Sequence, residues 1–428
     1  MRFLPALLLC TTLSCHAQTI GDPLFADGFD LDPSVEQDRL ALEDAHLEAM
    51  LDLYQGNAPP VRLNIRYVGK GQRVAGDAFE APVEPPGSTV GAPLASFAAF
   101  NPASGNEFRI ELVRADLDGI ATETARRGRQ GSAGPQGGPP PNDNPDAPIP
   151  GSQLKAWSQN SDNRVLRSSL TVGTTAWPWR TINEHSNRCS STLIGPRHAV
   201  TAAHCLYDRP SNTWSTGFFV TPGRAGNNWS YGRSQIPSGS FTWYFTPAEW
   251  RQATPAGGPA QYDFGILVLP DRLGDQTGWM GYATLTNAGI TNGLVFNRGF
   301  PWCNATDRNG VARIDDVGDD PFSGLVCNDR HLYGDASSCS SGNFQAADGD
   351  GWARLFDHSC DASAGHSGSA MYAYLNGQPA VIGIHTTSLC GKTATDIPCT
   401  ATSAQPLRAT RVTPEYRAWI SYFRNWKP

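Results

Sequence analysis

The spacing of hydrophobic and polar residues divides the chain into regions of different predicted structure. Leucines recur with a helical period over residues 34–54, which predicts an acidic amphipathic helix. Apolar and polar residues alternate over 61–67 and again over 108–112, and this alternation predicts two strands. We therefore expect a small α+β unit within residues 34–125.

From residue 153 onward the pattern changes to short apolar segments separated by turn residues, which is typical of β-barrels. Examples are residues 191–194, 217–220 and 381–384. Near the end, Thr413 followed by Pro414 is a favourable helix start, and the apolar residues beyond it share one face. The pattern predicts an all-β domain over 153–428 that finishes with a helix packed on a barrel.

Residues 127–152 contain almost no large apolar side chain and are rich in glycine and proline. Such a composition predicts an exposed, unfolded linker, where proteolysis concentrates. An N-terminal region, residues 18–126, is thus joined to the C-terminal domain by a cleavable segment, and we interpret this region as a propeptide. The alternative is a permanently attached accessory module for adhesion or sorting.

Residues 1–17 have a basic start, a short apolar core and small residues that end at Ala17. These features predict a secretory signal peptide, and the apolar core is too short to span a bilayer. A lipoprotein signal that uses Cys15 is the alternative. We expect a secreted, extracellular protein, with the periplasm as a second possible location, and no membrane partner.

The composition supports a loop-rich all-β protein. The 428 residues include 44 Gly and 33 Pro, and only 17% are charged. The net charge of −7, without long runs of one sign, argues against nucleic acid as a partner. No metal-binding motif of the CxxC or HExxH type occurs, so no metal or other cofactor is expected.

Eight of the ten cysteines fall between Cys189 and Cys399, and an even set in a secreted chain predicts disulfides. Cys189 and Cys205 would close a loop, and Cys390 would pair with Cys399 across a short one. The remaining four allow three connectivities, which the sequence leaves open: Cys303, Cys327, Cys339 and Cys360.

Three separated segments carry the residues of a nucleophilic site. They contain His204 after small residues, Asp263 before an apolar run, and Ser367 within Gly-His-Ser-Gly-Ser. A serine hydroxyl needs a base to take its proton and a carboxylate to orient that base. Each segment alone has an ordinary structural explanation, but the three in the order His, Asp, Ser predict a chymotrypsin-like catalytic triad.

Over about residues 160–428 the chain resembles the secreted bacterial glutamyl endopeptidases, a branch of the chymotrypsin-like serine proteases. The motifs that carry the resemblance are at 162–165, 177–182, 194–196, 221–224, 262–265, 299–301, 383–386 and 409–413. The resemblance implies two six-stranded β-barrels with the active site in the crevice between them.

The resemblance also implies roles for individual residues. The backbone amides of Gly365 and Ser367 would form the oxyanion hole. His385, with Thr386 beside it in the pocket, would bind the carboxylate of a substrate glutamate.

Three residues depart from the patterns of related proteases. Ala362 stands where the glutamyl branch usually carries a threonine whose hydroxyl helps to hold the acidic side chain. His366 stands where trypsin-type zymogens have an aspartate that pairs with the new N-terminus, so activation by that ion pair is not expected. Asp361 lies six residues before Ser367, the spacing of the trypsin pocket aspartate, and by itself predicts cleavage after Arg or Lys.

The sequence therefore predicts a secreted, monomeric serine endopeptidase that acts through an acyl-enzyme and prefers Glu or Asp before the scissile bond. Its expected partners are protein or peptide substrates and its own propeptide. The alternatives are the same protease with specificity for Arg, Lys or other residues, and, more distantly, a catalytically silent binding protein on the same fold.

Overall fold

A computed structural model describes thirteen stretches of the chain. They are 63–75, 96–112, 164–166, 174–237, 242–252, 260–301, 305–306, 312–313, 330–335, 338–347, 352–362, 365–388 and 407–426. The predicted signal peptide, the helix over 34–54 and the linker over 127–152 lie outside these residues. So do Cys303, Cys327, Cys390 and Cys399.

Two large sheets, which are mainly antiparallel, dominate the described part of the protein. The strands of the first half are β6 (Ile182–His185), β7 (Cys189–Leu193), β8 (His198–Thr201), β9 (Tyr207–Asp208), β10 (Thr213–Thr216), β11 (Phe218–Pro222), β12 (Ser234–Ile236), β13 (Trp243–Pro247) and β14 (Gly265–Val268). All of these except β9 and β10 belong to the first large sheet, in the order β13-β14-β8-β7-β6-β11-β12.

The second large sheet follows along the chain. Its strands are β15 (Gly281–Tyr282), β16 (Val295–Asn297), β20 (Ser341–Ala347), β21 (Ala353–His358), β22 (Ala370–Leu375), β23 (Gln378–Ser388) and β24 (Leu407–Arg411). The order is β16-β22-β23-β24-β21-β20, and β15 pairs with β23. Three short strands lie outside the large sheets: β17 (Ala305–Thr306), β18 (Ala312–Arg313) and β19 (Tyr333–Asp335). β17 pairs with β18, and β19 pairs with residues 164–166.

The N-terminal region contributes β1 (Leu63–Lys70), β2 (Gln72–Ala75), β3 (Ser96–Phe100) and β4 (Asn106–Leu112), and β5 (Arg164–Leu166) lies beyond the linker. The order β1-β4-β3 continues directly into β13, so the first large sheet has ten strands. The strands predicted at 61–67 and 108–112 are confirmed. Strands β2 and β3 were not predicted, because both are short and lack a clear alternation.

Helices are few and short in the described residues. They are α1 (Ala248–Gln252), α2 (Gly274–Thr277), α3 (Asn287–Thr291) and α4 (Pro414–Trp426), with 3-10 turns at Trp179–Thr181, Ala203–Cys205 and Ala260–Tyr262. The predicted cap of α4 is present, since the amide of Tyr416 donates to Thr413 Oγ1 at 3.2 Å. Within the described residues, no helix is both long and apolar enough to cross a membrane.

The C-terminal helix packs its apolar face on the first sheet. Tyr416 stacks on Phe264 with ring centroids 4.4 Å apart, and Phe423 stacks on Phe245 at 3.8 Å. All four rings are fully buried. The predicted all-β class and the C-terminal helix are thereby confirmed. The ten-stranded first sheet differs from the expected six strands partly because the N-terminal region adds three strands to it.

Candidate active site

His204 and Asp263 meet because their strands are neighbours. His204 lies in the 3-10 turn directly after β8, and Asp263 lies two residues before β14. These strands pair antiparallel, with Gly265 opposite Thr201. Since neighbouring antiparallel strands bring the end of one to the start of the other, the two side chains lie at the same edge of the sheet.

The Asp263 carboxylate makes two hydrogen bonds to His204. Oδ2 lies 2.7 Å from Nδ1, and Oδ1 accepts from the backbone amide of His204 at 2.9 Å. Both side chains are only 2% exposed. An ionised carboxylate can only accept, so Nδ1 carries the proton, and Nε2 is left as the basic nitrogen of the neutral ring.

Two side chains from the C-terminal part of the protein form hydrogen bonds to the segment before Asp263. Tyr416 of the C-terminal helix donates its hydroxyl to the carbonyl of Gln261 at 2.7 Å. Thr410 of β24 donates to the carbonyl of Ala260 at 2.7 Å. The position of the carboxylate therefore depends on both large sheets and on the terminal helix.

The turn that carries Ser367 packs against the strands that carry His204. The carbonyl of Ser367 accepts from the amide of Ser190 at 2.8 Å and lies 3.5 Å from Sγ of Cys205. Gly368 has a φ of +85°, and a Cβ there would lie 2.2 Å from Thr201 Oγ1. Only glycine fits this close approach, which explains the Gly after the serine.

The Ser367 side chain is partly exposed, whereas His204 and Asp263 are buried. Within the described residues, Nε2 of His204 has no hydrogen-bond partner. The hydrogen bond expected between this nitrogen and Ser367 is therefore not formed here. Such bonds are often long without substrate and tighten when substrate binds.

The carbonyl of Gly365, at the start of the turn that carries Ser367, is fixed by a buried serine. Ser190 Oγ donates to this carbonyl at 2.7 Å and accepts from the amide of Phe300 at 3.0 Å. Gly365 has a φ of +94°, in the region that favours glycine. His366 is fully buried against Gly299, where an added Cβ would lie 2.7 Å from its ring. The expected oxyanion-hole residues thus belong to a turn anchored by Ser190, which the sequence analysis did not single out.

Two disulfides lie near these residues. Cys189 is bonded to Cys205, as the sequence predicted, and the bridge ties β7 to the turn that carries His204. A disulfide that closes a loop of this length raises the free energy of unfolding by roughly 3 kcal/mol, because it restricts the unfolded chain. Cys339 is bonded to Cys360, which selects one partner pair among the four cysteines left open. Each bridge adjoins a histidine or a carboxylate, but bonded sulfurs offer no thiolate to a metal.

His385 lies beside the turn that carries Ser367. Its carbonyl accepts from the amide of Gly368 at 2.9 Å, and its own amide donates to the carbonyl of Ser369 at 2.9 Å. Its ring Nδ1 lies 3.1 Å from Nε2 of His358, with both side chains buried. His358 was not predicted. It ends β21, which is joined to β23 only through β24, so no local motif connects the two histidines.

The other predicted pocket residues are all buried. Thr386 directs its hydroxyl to the carbonyl of Arg408 at 3.5 Å, and Ala362 packs with Leu407. The amide of Asp361 donates to the carboxylate of Asp335 at 3.2 and 3.3 Å. Asp335, in β19, is fully buried beside the Cys339–Cys360 bridge, and nothing in its local sequence marks it.

Comparisons with known proteins give partial matches. No protein-family model matches the chain. A glutamyl endopeptidase of Bacillus licheniformis is 34% identical over 144 residues, which are 33% of this chain and 41% of that protein. An extracellular metalloprotease of Bacillus subtilis is 30% identical over 156 residues, 34% of this chain and 45% of that protein. The matched segments thus span less than half the length of these curated relatives.

Two solved structures are similar at lower identity. A Glu endopeptidase in complex with MPD has a TM-score of 0.42 and 20% identity, and the match covers 62% of this chain and 98% of that one. The protease Anisep of Arthrobacter nicotinovorans has a TM-score of 0.37 and 17% identity, with 57% and 95% covered.

The names of the two curated relatives refer to different catalytic classes, and the residues of this chain that bear on the serine class are His204, Asp263 and Ser367. Its histidine and aspartate are joined by two hydrogen bonds, and the serine turn packs beside them. Together with the match of 34% identity, these observations confirm the resemblance of this chain to the glutamyl endopeptidase branch of the chymotrypsin-like serine proteases.

Proposed function

We propose that the chain is a serine endopeptidase in which Ser367 is the nucleophile, His204 the general base and Asp263 the residue that orients the base. The observation that carries this proposal is the buried pair formed by Asp263 Oδ2 and His204 Nδ1 at 2.7 Å. A carboxylate at Nδ1 leaves Nε2 to accept a proton and stabilises the imidazolium that results.

The proposed reaction has two halves. Ser367 Oγ attacks the carbonyl carbon of the scissile bond while His204 Nε2 takes its proton, and the amides of Gly365 and Ser367 stabilise the oxyanion. His204 then gives the proton to the leaving amine, and the acyl-enzyme remains. Water, activated by the same nitrogen, releases the acid product and restores the hydroxyl.

A fluorophosphonate probe tests the nucleophile, because it reacts with an activated serine. We expect one adduct per folded molecule, located on Ser367 by peptide mass spectrometry. The matched control is unfolded protein, which should not react because the base is no longer placed beside the serine. Labelling at another serine, or equal labelling of folded and unfolded protein, would contradict the assignment and would favour a silent binding protein.

We further propose a preference for glutamate before the scissile bond. His385 is tied by backbone hydrogen bonds to Gly368 and Ser369, next to the nucleophile, and its ring is backed by His358 at 3.1 Å. A histidine ring can donate a hydrogen bond to a carboxylate and is drawn towards its charged form by that carboxylate. Because Ala362 has no hydroxyl, one donor of the resembling proteases is missing, and discrimination against other residues should be softer.

Cleavage of a peptide library by the mature enzyme tests this specificity. We expect Glu to be enriched before the cleaved bond, followed by Asp. Enrichment of Arg or Lys would instead assign the specificity to Asp361, whose carboxylate would repel an acidic side chain. Enrichment of apolar residues would contradict both assignments.

We also propose that residues 1–17 direct secretion and that the linker over 127–152 is cut during maturation. N-terminal sequencing of secreted, active protein should find a start between about residues 127 and 162. A covalently intact chain with full activity would contradict processing at the linker.

A further inference from the structure

The N-terminal segment formed by residues 63–75 and 96–112 is built into the first large sheet. Strand β3 pairs antiparallel with β13, from Tyr244 opposite Phe100 to Pro247 opposite Phe97. Strand β2 pairs in parallel with β10. Without this segment, β13 would be an edge strand among the described residues, because β14 is its only other neighbour in that part of the sheet. An edge strand presents unpaired backbone groups and is covered or blunted in folded proteins.

The segment also fills the apolar core. Phe100 stacks in parallel on Trp214 with centroids 4.5 Å apart, and Phe97 lies 3.9 Å from Trp419 of the C-terminal helix. All four rings are fully buried. Gly71 brings the backbone so close to Trp214 that an added Cβ would lie 2.7 Å from the indole. Removal of the segment would expose these large aromatic surfaces to water.

A buried charge cluster joins the two parts as well. Glu107 of β4 accepts from Arg251 Nε at 2.8 Å and from Arg251 Nη2 at 2.7 Å. The same carboxylate accepts from Trp214 Nε1 at 2.9 Å. Two parallel hydrogen bonds from an arginine to a carboxylate are a strong and geometrically specific contact. If the segment left, Arg251 and Trp214 would lose this acceptor in a largely buried environment.

These contacts lie away from the catalytic residues. Among the described residues, no strand pairing, hydrogen bond or ring contact of the segment reaches His204, Asp263 or Ser367. The described contacts of the segment are therefore with the first sheet, with β10 and α1, and with the C-terminal helix, and not with the three proposed catalytic residues.

We propose that this segment remains bound after the linker is cut and serves as a permanent, noncovalent subunit of the mature protein. The surface that binds the segment consists of the edges of β10 and β13 that pair with β2 and β3, together with Arg251 and the rings of Trp214 and Trp419. The mode of binding is strand addition to a sheet edge, with buried phenylalanine side chains as anchors.

The test uses the full chain with Ser367→Ala, so that the outcome does not depend on proteolytic activity. A recognition sequence for a site-specific protease replaces part of the linker over 127–152, and the purified protein is cut. Gel filtration at micromolar concentration should return both fragments in one peak, and they should separate only in denaturant. Separation of the N-terminal fragment from a folded C-terminal domain under native conditions would overturn the proposal.

Two interface variants and one control test the proposed contacts in the cut protein, by dilution of a labelled complex. Glu107→Gln breaks the charge pair, and we expect the dissociation constant of the cut complex to rise on the order of 100-fold. Phe100→Ala, which removes the stacked ring, should have at least as large an effect. The control is Arg66→Ala. Arg66 is exposed and lies on β1, at the far edge of the sheet, so its replacement should change the affinity by less than about twofold.

Circular dichroism before cutting selects the variants that fold. If an interface variant fails to fold, the result for the cut parent chain still decides the proposal. If the folded Glu107→Gln and Phe100→Ala proteins kept the N-terminal fragment bound as tightly as the parent does, the interface described here would be contradicted.

Discussion

The proposed catalytic pair, His204 with Asp263, and the proposed pocket pair, His385 with His358, each contain a buried histidine but are built differently. His204 is held by a carboxylate through two hydrogen bonds, and the two residues come from paired strands of one sheet. His385 is backed by a second histidine through one hydrogen bond, and their strands are separated by β24. The first arrangement fixes a tautomer whatever the substrate. In the second, the partner is another titratable ring and not a carboxylate, so the protonation of the pair can respond to the charge of the bound side chain.

The two pairs should therefore have separable effects on rate and on substrate preference. Changes at the catalytic pair should lower the rate for every substrate, because they act on the reacting atoms. Changes at the pocket pair should alter the ranking of substrates instead. The predictions below are ordered by the size of the expected effect.

Ser367→Ala should lower kcat by about 10⁴–10⁶, because no other group of the site can form the acyl-enzyme. The fold should persist, since one partly exposed hydroxyl supports little structure. The measurement is kcat on a good peptide substrate, with thermal melting as a control for folding. A folded variant with near-normal activity would remove Ser367 from the mechanism.

Asp263→Asn should lower kcat by roughly 10⁴, in the same proportion for Glu, Leu and Arg substrates. The amide can donate to Nδ1 and so favours the tautomer that protonates Nε2, which can no longer accept the serine proton. Kinetics on matched substrates check this prediction. A loss confined to glutamyl substrates would contradict the assignment of Asp263 to the catalytic pair.

His385→Val should lower kcat/KM for a Glu substrate by about 10–100-fold, because a charge-assisted hydrogen bond to the substrate is lost. The value for a matched Leu substrate should change little. In the parent protein, glutamyl cleavage should lose relative efficiency as the pH rises, since the protonated ring binds the carboxylate more strongly. This pH dependence should disappear in the variant.

His358→Leu separates direct contact with the substrate from positioning. It should lower Glu selectivity less than His385→Val does, because His358 acts through the ring of His385. It should also shift the pH profile of glutamyl cleavage, which a loss of packing alone would not do. An unchanged profile, or equal losses for Glu and Leu, would contradict the positioning role.

Ser190→Ala tests the junction between the catalytic turn and the first sheet. Ser190 Oγ bonds to the carbonyl of Gly365 and the amide of Phe300. The variant loses both bonds, but only the one to Gly365 holds the turn that carries Ser367. Loss of that bond costs about 0.5–1.5 kcal/mol, so kcat should fall roughly threefold to tenfold, and equally for all substrates. Single-turnover acylation of the variant measures this effect. A change in substrate ranking would show that Ser190 acts on the pocket instead.

The proposed catalytic residues could be singled out from sequence because each lies in a short motif whose local geometry depends on its neighbours. Gly368 is needed for the close approach to Thr201, and Cys205 follows His204 because it closes the loop. Likewise, Thr413 and Pro414 predicted a helix start from local geometry alone. In these places the chemistry and the backbone constraint lie within a few residues of each other.

His358, Asp335 and Ser190 could not be predicted because their partners are distant in sequence. The bond from Ser190 to Gly365 spans 175 residues, and that from His358 to His385 spans 27 residues and an intervening strand. The docking of Phe100 on Trp214 was missed for the same reason. Only the sheet order brings such residues together, and sequence periodicity gives the faces of strands but not their neighbours.

The last prediction concerns a buried histidine that belongs to neither pair. His185, in β6, is fully buried, and its Nε2 lies 2.8 Å from Ser191 Oγ, on the residue beside Ser190. Burial lowers the pKa of His185 to about 3, whereas the ring has its ordinary pKa of 6.5 in the unfolded chain. Between these values the unfolded state binds a proton that the folded state does not, so the free energy of unfolding falls as the pH drops from about 6.5 towards 3. Each pKa unit corresponds to about 1.4 kcal/mol.

His185→Gln should therefore flatten the decline in stability over this pH window while leaving activity near pH 7 almost unchanged. The side-chain amide of glutamine can still bond to Ser191, which also accepts from Asn183 Nδ2. The measurement is urea unfolding at several pH values between 4 and 7.5, with His331→Gln as the matched control. His331 is only half-buried, and burial and Arg224 lower its pKa, so its replacement should flatten the decline less. Parallel curves for the parent and His185→Gln would show that this ring does not set the acid sensitivity.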